Sequence, residues 1–132
     1  MYTVKFGDYT LTAKVSNYLY DPLCLAVELV YDEGIYCTVT VNLGIDIGNN
    51  AIIPQYTAFV DTNNLDPNLV QLLVQDGLMT PYVRFGVPVT KESGYCMYPL
   101  YSFNVQKLRD SDPEGCKEYE QVYKEAFNTL NR

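Results

Sequence analysis

The feature that most restricts this chain is a period of two at its start. Tyr2, Val4 and Phe6, then Tyr9, Leu11, Ala13 and Val15, alternate with Thr3, Lys5, Thr10, Thr12 and Lys14. Successive side chains of a strand point to opposite faces, so this pattern buries one face of a sheet and wets the other. Gly7-Asp8 between the two runs predicts a two-residue turn, with glycine at the first central position that a type II′ turn favours. The register then sets Phe6 opposite Tyr9, Val4 opposite Leu11 and Tyr2 opposite Ala13. A second hairpin is predicted from Leu23 to Leu43 around Asp32-Glu33-Gly34. A three-residue loop closed by Gly34 pairs Tyr31 with Ile35, Leu29 with Cys37, Val27 with Val39 and Leu25 with Val41. Cys37 is then core, while Cys24, Glu28, Thr38, Thr40 and Asn42 face outward.

Beyond the hairpins, Gly44 to Asn50 reads as a loop, because two glycines and an Asn pair interrupt its isoleucines. A short strand from Gln55 to Val60 follows. Asp66 is a good helix N-cap, Pro67 suits the first helical position, Leu69, Val70, Leu72 and Leu73 form an apolar face, and Gly77 ends the helix. Tyr82 to Val89 and Tyr95 to Val105 look extended, with Glu92-Ser93-Gly94 as the turn. Pro88 and Pro99 each lack a ladder donor, which predicts edge or bulged strands. At the end, Tyr119, Val122, Tyr123, Ala126, Phe127 and Leu130 recur at helical spacing. A helix from about Pro113 to Leu130 is expected on the sheet, and a fully buried Phe127 would make Phe127→Ala cost about 3–5 kcal/mol. The class expected is α+β: antiparallel β-hairpins forming a twisted sheet, with a short central helix and a C-terminal amphipathic helix packed on it. One domain is expected over residues 1–132.

Charge narrows the function. Nine Lys and Arg stand against sixteen Asp and Glu, a formal −7, and no base occurs between Val15 and Val83. That stretch carries Asp21, Glu28, Asp32, Glu33, Asp46, Asp61, Asp66 and Asp76. Such a surface repels phosphate backbones and attracts basic proteins, so direct nucleic-acid binding is not expected; plain solubility is the alternative reading of the same charge. The four cysteines form no C-x-x-C pair and histidine is absent, which argues against zinc and histidine-based catalysis. No phosphate loop, nucleophile elbow or EF-hand spacing occurs. No enzyme activity, metal or cofactor is expected. Apolar runs are interrupted well before the roughly 18 residues of a membrane span, and the N-terminal residues lack a signal-peptide pattern. Reduced thiols and a cytoplasmic location in a bacterial host are the expectation.

Two segments could bind a ligand or partner. Asp61, Thr62, Asn63 and Asn64 concentrate hydrogen-bonding oxygens just before a helix start, where backbone amides lack partners. The same residues also cap helices and close Asx turns. Tyr95 and Tyr98 lie in a tyrosine-rich stretch of a chain with thirteen tyrosines and no tryptophan, and such residues suit interfaces, base stacking or core packing. Arg84 is the cation nearest in sequence.

Ala58-Phe59-Val60-Asp61-Thr62-Asn63-Asn64, Asp76-Gly77-Leu78 before Pro81, and Ser93 to Tyr101 with Phe103 and Leu108 resemble the family called domain of unknown function 4313. The likeness covers roughly the first four-fifths of the chain and leaves the C-terminal helix as an addition. Leu65-Asp66-Pro67 departs from an Asn-Cys-Pro-Trp run in other members, so a ligand contact through that tryptophan is not carried over. The resemblance implies a small accessory protein of phages and conjugative elements. The leading expectation is therefore a non-enzymatic protein that docks on a host protein as a counter-defence inhibitor. The alternative is a sponge for a nucleotide signal, read by the loop and the tyrosines. A homo-oligomer stays open.

Overall fold

Two larger antiparallel sheets, two two-stranded ribbons and three helices make up the computed structural model, which describes residues 1–130. The α+β class expected from the sequence is the one found. The first sheet runs in chain order: β1 (Val4–Phe6), β2 (Tyr9–Tyr18), β3 (Asp21–Tyr31) and β4 (Gly34–Thr38). Val4 pairs with Leu11 and Phe6 with Tyr9, as the alternation requires. Gly7 takes a φ of 59° while Asp8 has none in the left-handed region, the signature of a type II′ turn.

The third expected pair, Tyr2 with Ala13, is replaced by a side-chain bridge. Ser111 Oγ accepts from Ala13 N at 2.8 Å and donates to Tyr2 O at 3.2 Å. One step along, Asp112 Oδ2 accepts from Val15 N at 2.9 Å. These two side chains satisfy the β2 amides that run past the end of β1.

The second hairpin also differs from expectation. Tyr31 pairs with Gly34 and Val30 with Ile35, so the loop has two residues, and a bulge then restores Leu29 opposite Cys37. Past Thr38 the chain leaves the sheet. Val39 N still donates to Val27 O at 2.9 Å, but the Thr40 hydroxyl takes up Val27 N at 3.1 Å and ends the ladder. Leu25 therefore never meets Val41. Instead β5 (Thr40–Val41) joins a second sheet. Thr40 is consequently buried rather than outward. Leu23 to Val27 is buried on both strand faces, which places Cys24 in a core with Ile53, Phe59 and Leu100 rather than on the surface.

Gly44 to Asn50 is not a plain loop. It carries β6 (Asp46–Gly48), paired with β7 (Ala51–Ile52) across Asn49-Asn50, whose φ values of 55° and 60° asparagine tolerates. The second sheet continues with β8 (Thr57–Val60), and the Asp61 to Asn64 loop then leads into α1 (Pro67–Gln75). The Asp66 carboxylate caps α1 by accepting from Asn68 N at 2.8 Å, and Leu69 and Leu73 enter the main core.

The remaining strands are β9 (Met79–Pro81), β10 (Val83–Arg84), β11 (Val87–Pro88), β12 (Thr90–Ser93) and β13 (Cys96–Phe103). β13 is central, not an edge: β8 flanks one side, and β9 and β12 share the other. Pro99 is tolerated because the β8 ladder begins one residue later, at Leu100.

Phe103 closes the strand, and α2 (Val105–Ser111) follows, capped by Asn104 accepting from Lys107 N at 3.0 Å. The extended reading up to Val105 thus overran a helix. α3 (Pro113–Leu130) has the expected bounds and packs on β2 and β3. Its contact is centred earlier than expected: Cys116 and Tyr119 are buried, whereas Phe127 is 38% exposed and Leu130 52%. Phe127 stacks on Tyr123 at 6.0 Å along the outer helix instead of entering the core.

Candidate functional site

The polar loop directs most of its hydrogen bonding to itself. Asn64 Nδ2 donates to both oxygens of the Asp61 carboxylate at 3.1 Å, and the amides of Asn64 and Leu65 donate to Asp61 O. Asp66 takes up Asn68 N, Pro67 has no N–H, and Leu69 N donates to Asp66 O. The first turn of α1 therefore offers few of the free amides that an anion would require. Asn63 reaches the β13 strand, with Nδ2 3.5 Å from Met97 O.

Tyr98 is half-buried on that strand. Its burial, then Cys96 and Asp61, push the phenol up, while Asn63 acts in the opposite direction. The structure thus brings Asp61, Asn63 and Tyr98 together. The larger concavities lie elsewhere on the surface. Tyr95 projects fully into solvent from the turn before β13. Arg84 is not aimed at the loop but lies over the Phe85 ring, with Cζ 5.1 Å from its centroid.

A different feature stands beside these residues. β10 and β11 pair Val83 with Pro88 and Arg84 with Val87, which leaves Phe85-Gly86 as the whole turn. Their φ values are 52° and 77°, the left-handed pair of a type I′ turn that asparagine and glycine normally occupy. A bulky residue in that region costs on the order of 1–2 kcal/mol. The other aromatic residue with positive φ shows what can offset such a cost. Tyr56, at 62°, is buried, donates its N–H to Tyr119 Oη at 3.0 Å and its hydroxyl to Glu120 Oε2 at 2.6 Å, and packs edge-on against the Tyr119 ring. Phe85 is 87% exposed, and its ring contact is the partly buried Arg84.

Phe85 also has company. Val83, Val87, Tyr95 and Met97 are all more than half exposed, so five of the chain's large exposed apolar side chains fall between residues 83 and 97. Both ends of this segment join β13: Tyr82 N donates to Leu100 O, and Leu100 N to Val89 O. The apolar stretch and the Asn63–Tyr98 contact therefore flank the same strand. The sequence signal for the turn was Val-Arg-Phe-Gly-Val-Pro, two apolar residues around an X-Gly pair, which reading Tyr82 to Val89 as one strand concealed.

The family model described as Domain of unknown function (DUF4313) matches residues 12–123. The chain belongs to this family. The match reaches Tyr123, well inside α3, so the terminal helix is not simply an addition after the family's region. Phe85, the Asp61 to Asn64 loop and the Tyr56–Tyr119–Glu120 contacts all lie within it. No curated protein and no solved structure matches the chain.

Groups with shifted acidity are accounted for by packing. Burial pushes the Cys24 thiol up to about 11, with Asp21 adding to the shift and Lys91 opposing it. Burial alone moves Cys37 up to about 11. All four cysteines are free thiols. Glu120 is raised by burial but lowered more by the Tyr56 hydroxyl and by Arg109, whose Nη2 lies 2.9 Å from Oε1, so its carboxyl ends below the ordinary range. These contacts tie α2, α3 and the start of β8 together. Among the described residues no three acidic, cysteine or histidine side chains are placed to hold a metal ion, and no helix is long and apolar enough to cross a membrane.

Proposed function

We propose that the chain is a non-enzymatic docking protein whose contact surface is the exposed stretch from Val83 to Met97, with Phe85 at its tip. The observation that carries this reading is Phe85: a large apolar side chain, 87% exposed, held in a backbone conformation unfavourable for it, with little inside the fold to offset the cost. Exposed apolar side chains concentrated in this way mark protein interfaces, where a partner's pocket supplies the missing burial. The acidic, base-free run up to Val83 adds an electrostatic preference for a basic partner. In the mobile-element setting that the family resemblance implies, the partner is a host protein and the outcome is inhibition of a host defence. The nucleotide alternative has less support, because Arg84 packs on Phe85 and Lys91 donates to Leu43 O and Asp46 O at 2.7 and 3.0 Å.

Affinity capture from a host lysate at low and high salt tests the proposal, with Phe85→Asn as the paired bait. A protein retained by the intact chain, weakened by salt and lost with Phe85→Asn is the expected result. Equal capture by both baits, or none by the intact chain at either salt, overturns it.

A further inference from the structure

The turn that joins β2 to β3 is built from large apolar residues. Tyr18 pairs with Asp21, which leaves Leu19-Tyr20 as the whole turn, where small polar residues are the rule. Both side chains stand in solvent, Leu19 84% exposed and Tyr20 91%. The turn opens onto a groove along α3. Its first part, about 280 Å³, is lined among others by Leu19, Pro22, Glu118 and Val122, and its second, about 440 Å³, by Pro22, Leu23, Ile45, Ala126 and Leu130. Pro22 is common to both parts. The α3 residues that wall them, Gly115, Glu118, Val122, Ala126 and Thr129, recur every three or four positions. They form one stripe of the helix, roughly 21 Å long at 1.5 Å per residue.

We propose that this groove takes an amphipathic helix of a partner protein, laid along α3 with its apolar face inward and lysine or arginine at its margins. The floor supplies the apolar contact: Pro22, Val122 and Ala126 are only half-buried, and Leu130 is more than half exposed. The wall is itself a helix, whose backbone is bonded internally, so it offers no free edge to an added strand. Recognition falls to side chains, and about four turns of an apolar helix face fill a groove of this length. Charge then selects the partner. Asp21 and Glu118 line the groove, and among the described residues no Lys or Arg does so and no ion pair engages either carboxylate. The same acidity, with a formal −7 on the whole chain, opposes a second copy of the chain in this place. The groove shares no residue with the Val83 to Met97 surface and is a separate contact.

The test is fluorescence anisotropy of a labelled peptide of about 15 residues, leucine on one helical face and lysine on the other, with the full chain at about 0.15 M salt. One control peptide carries glutamate in place of lysine, and another has the same composition with the spacing scrambled. Saturable binding of the patterned lysine peptide alone is expected. Leu19→Ser with Leu130→Ser, both at exposed positions, should weaken it about tenfold or more while the melting temperature holds. Glu118→Lys, also exposed, should weaken it as well, and Phe85→Asn should leave it unchanged. No saturable binding, equal binding of either control peptide, or undiminished binding by the Leu19 and Leu130 double variant and by Glu118→Lys overturns the proposal. Weakening by Phe85→Asn also overturns it, by placing the peptide on the other surface. Sedimentation that finds the chain alone to be a dimer, returned to monomer by Leu130→Ser, overturns it by assigning the groove to a second copy. The peptide titration does not involve the Phe85 surface, so the two readings fail separately.

Discussion

Gly115→Ala should destabilise this protein, although helix propensity alone predicts the reverse. Gly115 is the third residue of α3, outside the left-handed region, and replacing glycine by alanine in a helix is ordinarily worth up to about 1 kcal/mol of stability. Here a Cβ would stand 2.6 Å from Val15 O, a backbone atom of β2, and 2.0 Å from Asp112 Oδ2. The carboxylate cannot swing away freely, because it accepts from Val15 N at 2.9 Å and from Gly115 N at 3.0 Å. Either that bond breaks, at about 1.5–3 kcal/mol for a charged acceptor, or α3 lifts from the sheet at the 1–3 kcal/mol typical of overpacking. After the propensity gain the net loss is about 1–2 kcal/mol, or roughly 3–10 °C in melting temperature for a domain of this size. Urea unfolding gives the value through its midpoint. In an Asp112→Ala background one of the clashing groups is gone, so Gly115→Ala should cost less there, a non-additivity that a double-mutant cycle reads directly. A Gly115→Ala midpoint above that of the parent would refute the close approach of α3 to β2.

Tyr119→Phe removes the acceptor of the buried Tyr56 amide and should cost about 1–3 kcal/mol by urea unfolding. Phe127→Ala should cost only about 1 kcal/mol in the same assay, since the ring is more than a third exposed. Because the folded Glu120 carboxyl lies below its unfolded value of about 4.5, its contribution is fully present above that pH and is lost as pH falls through the folded value. Melting temperatures from pH 7 to 3 should therefore fall less steeply for Glu120→Gln than for the parent. Alkylation of the native protein at pH 8, followed by peptide mass spectrometry, should leave Cys24 and Cys116 unmodified, because both are buried and burial raises their thiols.

Local pattern and capping made the first hairpin, the Asp66-Pro67 helix start and the bounds of α3 readable from the chain. Each of these is decided by residues near one another in sequence. What stayed hidden depends on partners brought from afar. The Thr40 hydroxyl that ends the second hairpin does so by occupying Val27 N, and nothing in the alternation of Thr38, Thr40 and Asn42 reveals it. Cys24 reads as outward until a second layer covers that face of β3. Ser111 and Asp112 look like ordinary polar residues before a helix, yet they complete the edge of β2 almost a hundred residues away. At the candidate site, composition pointed to the Asp61 loop and the tyrosines. Phe85 was missed because its importance lies in a φ angle, which composition does not show.

The docking claim rests on that angle, and Phe85→Asn tests it most directly, with stability and partner affinity measured on the same protein. Asparagine suits the first position of a type I′ turn, so the variant should melt at or above the parent's temperature, by up to several degrees. Its affinity for the captured partner should fall at least about tenfold, as loss of an anchoring aromatic side chain predicts. A melting temperature well below the parent's would show that Phe85 serves the fold, and an unchanged affinity would show that the partner does not touch it; either result contradicts the account.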